Sequence, residues 1–267
     1  MQRVVRKVLR AVADYDPDYY DMYADANEAF FAQLYVERIL QRASDAGIHP
    51  PATMLEAGCQ AGRLVVPFAK LGFAVTGLDT SGFALRRAQE HIREAGVQAT
   101  FVRGDLITVL TAHPEWQFDL VVCAEVVYLS PQYRQMLDVL AKAVRPGGLL
   151  CVSHRSKLYY LVEALRQYDG DTALSILSRS EGPFRDSAYY NWQTPEELRG
   201  LYEAMGLQAI SLHPIDRVAW LCGMDVSRLT SVQQEQVQEL ERRWPSDEQS
   251  GRYLLVVASR PHDMASR

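Results

Sequence analysis

The chain has 267 residues, 48% of them hydrophobic and 23% charged, with a net charge of −5 and a sequence pI near 5.7. That length holds one large α/β domain or two small ones around a real core, and the acidic balance excludes a dominant, sequence-independent affinity for nucleic acid. No apolar run approaches the roughly 18–20 residues that a membrane helix needs, and the chain does not open on the apolar stretch of a signal peptide. The four cysteines, Cys59, Cys123, Cys151 and Cys222, form no CxxC pair and have no histidine pair beside them. Neither a metal site nor a disulfide framework is expected, and the pattern suits a reducing, cytoplasmic compartment.

Residues 1–48 read as helical, broken near Asp16-Pro17, and are expected to form an N-terminal lid. Within them residues 3–12 set Val4, Val5, Val8, Leu9 and Val12 on one face and Arg3, Arg6, Lys7 and Arg10 on the other, an apolar stripe for the core and a solvated basic face. Strand and helix alternate from residue 53. TMLEAG is a short apolar strand, residues 62–71 a helix despite Pro67, and FAVTGLD at 73–79 a second strand. Residues 82–95 form a helix closed by Gly96, QATFVRGD at 98–105 a third strand, and FDLVVCAEVV at 118–127 a fourth, apolar enough for burial on both faces. A helix from Ser130-Pro131 to about Val144 turns at Arg145-Pro146-Gly147-Gly148 into a fifth strand, LLCVSH. Thr194-Pro195-Glu196-Glu197 carries an N-cap, a proline at the first helical position and a glutamate three residues after the cap. Its helix leads to LQAISLHPI, and RYLLVVAS at 252–259 is the last strand. Alternating units of this length predict a mostly parallel, doubly wound α/β sheet with right-handed crossovers. Residues 155–193 and 214–250 break the alternation and read as helical lid insertions that cap the substrate; the polar helix SVQQEQVQELERRW in the second suits a cap or an oligomer contact, as in a dimer.

An open parallel sheet binds its ligand at the carboxyl ends of its strands. Glu56 and Gly58 stand at the first such end, Asp79 at the second, Asp105 at the third, and Cys123 to Glu125 at the fourth. Asp79 follows Gly58 by the interval usual for a carboxylate that accepts two ribose hydroxyls; as a bland alternative it caps the next helix, with Thr80 or Ser81 competing for that role. Asp105 sits where an adenine amino group would need an acceptor. The loop LEAGCQAGRL does not suit a nicotinamide cofactor, because the middle glycine of GxGxxG is replaced by Gln60, nor ATP, because Gly62 is followed by Arg63-Leu64 and not by Lys-Ser or Lys-Thr. A cofactor with adenine and ribose but no phosphate, and with positive charge that tolerates carboxylates, fits better. S-adenosylmethionine (SAM) has that character.

From Met54 to Ser259 the sequence resembles the class I SAM-dependent methyltransferases of the small-molecule type. LEAGCQAGRL resembles the family's first motif, GLDTS its second, VRGDL its third and FDLVVCAEVVYLS its fourth; AVRPGGLLCVS and WQTPEELRGLYEAMGLQ resemble later elements. The resemblance implies a Rossmann-like, mostly parallel seven-stranded sheet with an antiparallel last strand. It implies that Gly58, Cys59 and the loop beside Glu56 approach the methionine part of SAM, that Asp79 with Thr80 holds the ribose, and that Asp105 and the Leu106 amide read adenine. Cys123 to Glu125 would border the methyl-transfer face. YDPDYYDMYAD at 15–25 resembles the tyrosine-rich opening helix in which a tyrosine, here Tyr23 or Tyr20, reaches the cofactor carboxylate. Gln60 departs from the family's usual glycine; it points outward, bonds to the methionine end, or narrows the site.

Methyl transfer is an in-line displacement that needs alignment, exclusion of water and, for a hydroxyl or a protonated amine, a base. His154, after the fifth strand, is the leading candidate for that base because of its ordinary pKa near 6.5, followed by Tyr128 and Glu125. Tyr159, Tyr160, Tyr189, Tyr190 and Trp192 are expected to line a chamber for an apolar or aromatic small molecule. The reading is therefore a methyltransferase acting on O, N or C of a small molecule. An RNA or protein methyltransferase and a non-catalytic SAM-fold binding protein are the alternatives, and a nicotinamide dehydrogenase is a distant one.

Overall fold

A computed structural model describes residues 19–185, 187–244 and 247–262. The basic helix expected at 3–12 lies outside them. Helix α1 (Ala26–Asp45) starts where the Asp25 carboxylate accepts hydrogen bonds from the amides of Asn27 and Glu28. Then come β1 (Thr53–Ala57), α2 (Val65–Lys70), β2 (Ala74–Asp79), α3 (Gly82–Glu94), β3 (Thr100–Arg103), α4 (Leu106–Ala112), β4 (Phe118–Cys123), α5 (Tyr133–Ala143) and β5 (Val144–Arg155). α2 begins three residues later than its pattern predicts. Pro67 thus falls in the first turn, where an amide has no helical acceptor to lose. β4 stops at Cys123, short of 127, because Glu125 takes a left-handed φ of 62° and Val127–Leu129 coil into a 3-10 turn.

Strands β1 to β5 pair in parallel, and β9 (Tyr253–Ser259) runs antiparallel between β5 and β8 (Gln208–Ile215). The order across the sheet is β3-β2-β1-β4-β5-β9-β8, with Leu55 opposite Thr76 on one side and Val121 on the other. Side chains alternate between two cores, as the two-residue period of a strand requires. Met54, Val122, Cys151 and Leu255 face α1, α2 and α3; Leu55, Val121, Val152 and Val256 face α4, α5 and α8 (Pro195–Ala204). The α8 start is the predicted capping box, closed by Thr194 and Glu197.

The first insertion contains α6 (Lys157–Arg166), α7 (Gly170–Ser178) and a hairpin of β6 (Glu181–Phe184) and β7 (Ser187–Asn191). It packs a small core of its own around Tyr160, Ile176, Phe184 and Trp192. The second contains α9 (Val218–Leu221) and α10 (Ser231–Arg243) and lies along α1, where Gln238 and Gln33 exchange hydrogen bonds. Buried Glu241 accepts from the amides of Arg217 and Val218 at 2.6 Å each and so supplies the acceptor that the start of α9 lacks. Among the described residues no helix is long and apolar enough to cross a membrane.

Candidate active site

The strand order reverses between β1 and β4, and the crevice above the carboxyl ends of two such strands is where an open α/β sheet takes its ligand. A cavity of about 420 Å³ lies there, within the size range of small-molecule sites. Four strand ends supply its walls: Glu56 and Gly58 after β1, Asp79 and Thr80 after β2, Asp105 and Leu106 after β3, and Ala124, Glu125, Val126 and Tyr128 after β4. Met22 closes it from the N-terminal segment.

Gly58 cannot be replaced without rearrangement. Its φ is +81°, and a Cβ there would stand 2.3 Å from the Val126 side chain. Gln60 carries a φ of +44° without being glycine. Its side chain turns away from the cavity floor and grips the segment above: Nε2 donates to the Tyr20 carbonyl at 2.5 Å, and Oε1 accepts from the Met22 amide at 3.2 Å. Its amide donates to Asp79 Oδ2 at 2.9 Å while Ser81 donates to Oδ1 at 2.8 Å. Asp79 is thereby held face-on to the cavity, with a second lone pair on each oxygen available to a ligand. Ser81, not Asp79, caps α3. Asp105 does cap α4, accepting from the Thr108 amide and hydroxyl at 2.9 and 3.0 Å, and lines the cavity as well.

Glu56 is buried, its Oε2 has no hydrogen-bond partner, and it faces the cavity. Burial pushes its carboxyl up to about 8, against the pull of nearby Arg63. Beside Glu56 the Arg63 side chain, also buried, pairs with Glu28 of α1 and, at 2.7 Å, with Glu125. Burial opposes ionisation of Glu125, but Arg63 and a 2.6 Å hydrogen bond from the Tyr253 hydroxyl outweigh it and hold the carboxyl below its usual range.

Residues 54–148 match the family model of a methyltransferase domain. Ubiquinone biosynthesis O-methyltransferases of Methylobacterium nodulans and Klebsiella pneumoniae are 32% and 34% identical over 161 and 95 residues, which is 59% and 36% of this chain and 60% and 39% of theirs. The chain thus spans less than two thirds of the length of these relatives. In fold it is similar to the magnesium protoporphyrin IX methyltransferase of Synechocystis PCC 6803 with bound S-adenosylhomocysteine (SAH), with TM-score 0.58, 16% identity and 97% and 100% of the two chains covered. A SAM-dependent methyltransferase from Clostridium acetobutylicum gives TM-score 0.57, 10% identity and 97% and 98% coverage. In its matched domain and in its fold the chain is similar to the class I SAM-dependent methyltransferases.

Several residues expected at the site stand elsewhere. His154 shares the β5 face of Leu150 and Val152, is fully buried, and meets the Tyr202 hydroxyl of α8 at 2.9 Å. Burial pushes its pKa down to about 3, and it does not border the cavity; a neutral ring on the far face of the sheet is no base for a reaction at the strand ends. Cys123 is likewise turned into the α5-side core, and burial pushes its thiol up. Tyr23 stacks on His91 with ring centroids 4.2 Å apart, so Met22 takes the cavity position instead; Tyr20 is half exposed and contributes its carbonyl to Gln60. Glu125 and Tyr128 do border the cavity but are engaged, Glu125 as above and Tyr128 accepting a 3.0 Å hydrogen bond from Arg155. None of Tyr159, Tyr160, Tyr189, Tyr190 and Trp192 lines it; Tyr160 and Trp192 fill the insertion's own core. Arg63, Met22 and Met136 are cavity residues that no motif singles out.

Proposed function

We propose that this chain is a SAM-dependent methyltransferase that moves the methyl group of SAM to an oxygen of a small molecule. The observation that carries the reading is the cavity above β1 and β4 with Glu56, Asp79 and Asp105 on three successive strand ends. Glu56, with its unpartnered oxygen, would hold the positive methionine end; Asp79 beside Thr80 would accept the ribose hydroxyls; Asp105 and the Leu106 amide would read the adenine edge. When bound, SAM supplies an activated methyl group, so the chain's own task is alignment and the exclusion of water, effects worth up to about 7–11 kcal/mol in ideal cases. Met22, drawn down by the Gln60 contacts, supports the exclusion of water. With Glu56 assigned to the cofactor and Glu125 and Tyr128 engaged, none of the acids and tyrosines expected near the transfer face is left over as a base in the place of His154, which favours an acceptor whose oxygen ionises readily, such as a phenol. The choice of oxygen follows the names of the curated relatives. The first insertion would cap the acceptor side, and the four free cysteines favour the cytoplasm.

Calorimetric titration with SAM and with SAH tests the reading. Micromolar binding by the wild type, weakened at least about tenfold in Asp79→Ala, is expected, because a lost hydrogen bond to a charged group costs about 1.5–3 kcal/mol. A folded wild type that binds neither compound would leave a SAM-fold protein without methyl transfer.

A further inference from the structure

His91 is a buried residue of α3 that stands between two pieces of the cavity rim. Its Nδ1 lies 3.0 Å from the carbonyl oxygen of Ala61, in the loop after β1. A carbonyl oxygen only accepts, so Nδ1 carries a hydrogen and donates it. The other side of the ring meets the segment above the cavity: Nε2 is 3.6 Å from Asp21 Oδ2, and the ring stacks on Tyr23 with centroids 4.2 Å apart. Asp21 divides its carboxylate between two tasks. Oδ1 accepts from the amides of Tyr23 and Ala24 at 3.1 and 3.2 Å and so shapes the turn that carries Met22. Oδ2 faces His91 and, at 3.3 Å, Arg87 Nε. Arg87 is half-exposed and shared with Glu90, which leaves His91 as the buried partner.

Residues 19–25 form no helix or strand, only a turn at 22–24, so few contacts hold them in place. Those contacts close a circuit. Gln60 grips Tyr20 and Met22 from the loop, Asp21 and Tyr23 rest on His91, and His91 returns to Ala61, the residue next to Gln60. Met22, between Asp21 and Tyr23 in the chain, is carried by that circuit over the cavity. We propose that His91 is a positioning residue that latches the 20–24 segment to the loop, so that release of the spent cofactor requires the contacts of Asp21 and Tyr23 with His91 to open. The inference rests on the methyl-transfer reading and adds the step that ends each turnover at that same site. Methyl transfer converts SAM to SAH, which has to leave before the next SAM can bind, and the wall free to move is the one without secondary structure. The walls at the ends of β1 to β4 are fixed by the pairing of those strands. His91 itself does not border the cavity; it acts through the Met22 segment and the loop.

The test measures SAH association and dissociation by surface plasmon resonance on the immobilised full chain. From Asp21→Asn, which keeps an acceptor for the turn amides, and from Tyr23→Leu, SAH is expected to dissociate at least about fivefold faster than from the wild type. Their melting points are expected to stay within a few degrees of the wild type, since both positions are only partly buried. His91→Asn, whose amide can still donate to Ala61, is expected to speed dissociation as much. Its double variant with Asp21→Asn is expected to go no more than about twofold further, because both changes open one contact. If His91→Asn does not fold, Gln60→Ala, the other arm of the circuit, takes its place in the double variant with the same expectation. Effects that multiply in the double variant overturn the latch, as do Asp21→Asn and Tyr23→Leu proteins that release SAH within about twofold of the wild-type rate. A wild type that binds no SAH fails the methyl-transfer reading itself, whereas a wild type that binds it, with variants that release it no faster, fails the latch alone.

Discussion

At Gly58 a left-handed φ and a Val126 methyl that would stand only 2.3 Å from any Cβ act together, so the position is constrained by its own backbone and by the β4 loop that crosses it. Gly58→Ala is expected to cost about 1–3 kcal/mol of stability through strain and to weaken SAM binding by more than about tenfold, since either the loop or Val126 must move into the cavity. A thermal melt and a SAM titration on the same preparation check both. Gln60 poses the opposite case: Gln60→Ala removes the bonds to Tyr20 and Met22 while leaving the core untouched. Its melting point is expected to stay within a few degrees while SAM affinity falls about three- to tenfold, because the Met22 segment is no longer fastened over the cavity. Glu56 makes the site sensitive to pH. Its folded pKa of about 8 lies above the ordinary 4.5, so the native state holds a proton that the unfolded chain has released. That contribution to stability is complete below about pH 4.5 and is lost as the pH rises through about 8. A cation bound beside Glu56 reverses the preference and expels the proton. SAM binding at pH 7 is therefore expected to release protons, visible as a binding enthalpy that changes with the ionisation enthalpy of the buffer, and Glu56→Gln is expected to abolish the change. Identical enthalpies in all buffers for the wild type would remove the cation role from Glu56.

Elements were legible wherever a period or a cap marks them. The β1-loop-α2 unit, β2 ending on Asp79 and the Thr194 capping box lie within a few residues of where their patterns put them. The acids of the cavity were legible for the same reason, since a carboxylate closing an apolar strand has one sheet edge to stand on. What failed was the choice of face. His154 and Cys123 stand near strand ends, but the two-residue alternation that sends Val152 and Val121 into the α5-side core sends them there too. Tyr23 failed differently: residues 19–25 have no period, so nothing local decides that Met22 faces the cavity while Tyr23 stacks on His91. The His154 side chain is a brace between β5 and α8. His154→Ala is accordingly expected to keep methyl transfer within about threefold and to lose about 1–3 kcal/mol of stability, as the Tyr202 hydroxyl is left buried and unpaired. Turnover and a denaturant melt separate these effects; a hundredfold loss of turnover at unchanged stability would restore the base.

On the scale of the molecule, the cavity is held together by a chain of charges that no single motif contains. Glu28 on α1, Arg63 after the first loop, Glu125 after β4 and Tyr253 on β9 are linked in series by hydrogen bonds across four elements far apart in sequence. Glu28, Arg63 and Glu125 each read alone as an ordinary surface charge, and only the closing of the sheet brings them together beside the neutral Tyr253 hydroxyl. Burial works against the charge on Arg63, yet the two glutamates more than offset it and raise its pKa. Such a network adds less to stability than its hydrogen bonds suggest, because desolvating the charges cancels much of their attraction; breaking it from one side is another matter. Arg63→Met leaves two buried carboxylates facing each other and is expected to cost about 3–5 kcal/mol. The triple variant Glu28→Gln/Arg63→Met/Glu125→Gln, which removes the charges with their partner, is expected to recover a large part of that loss. Denaturant melts of the two variants decide whether Arg63 adds stability of its own or chiefly neutralises the acids that the fold brings to the cavity. A triple variant no more stable than Arg63→Met would assign the loss to packing around the guanidinium, and the charge network would then be incidental to the site.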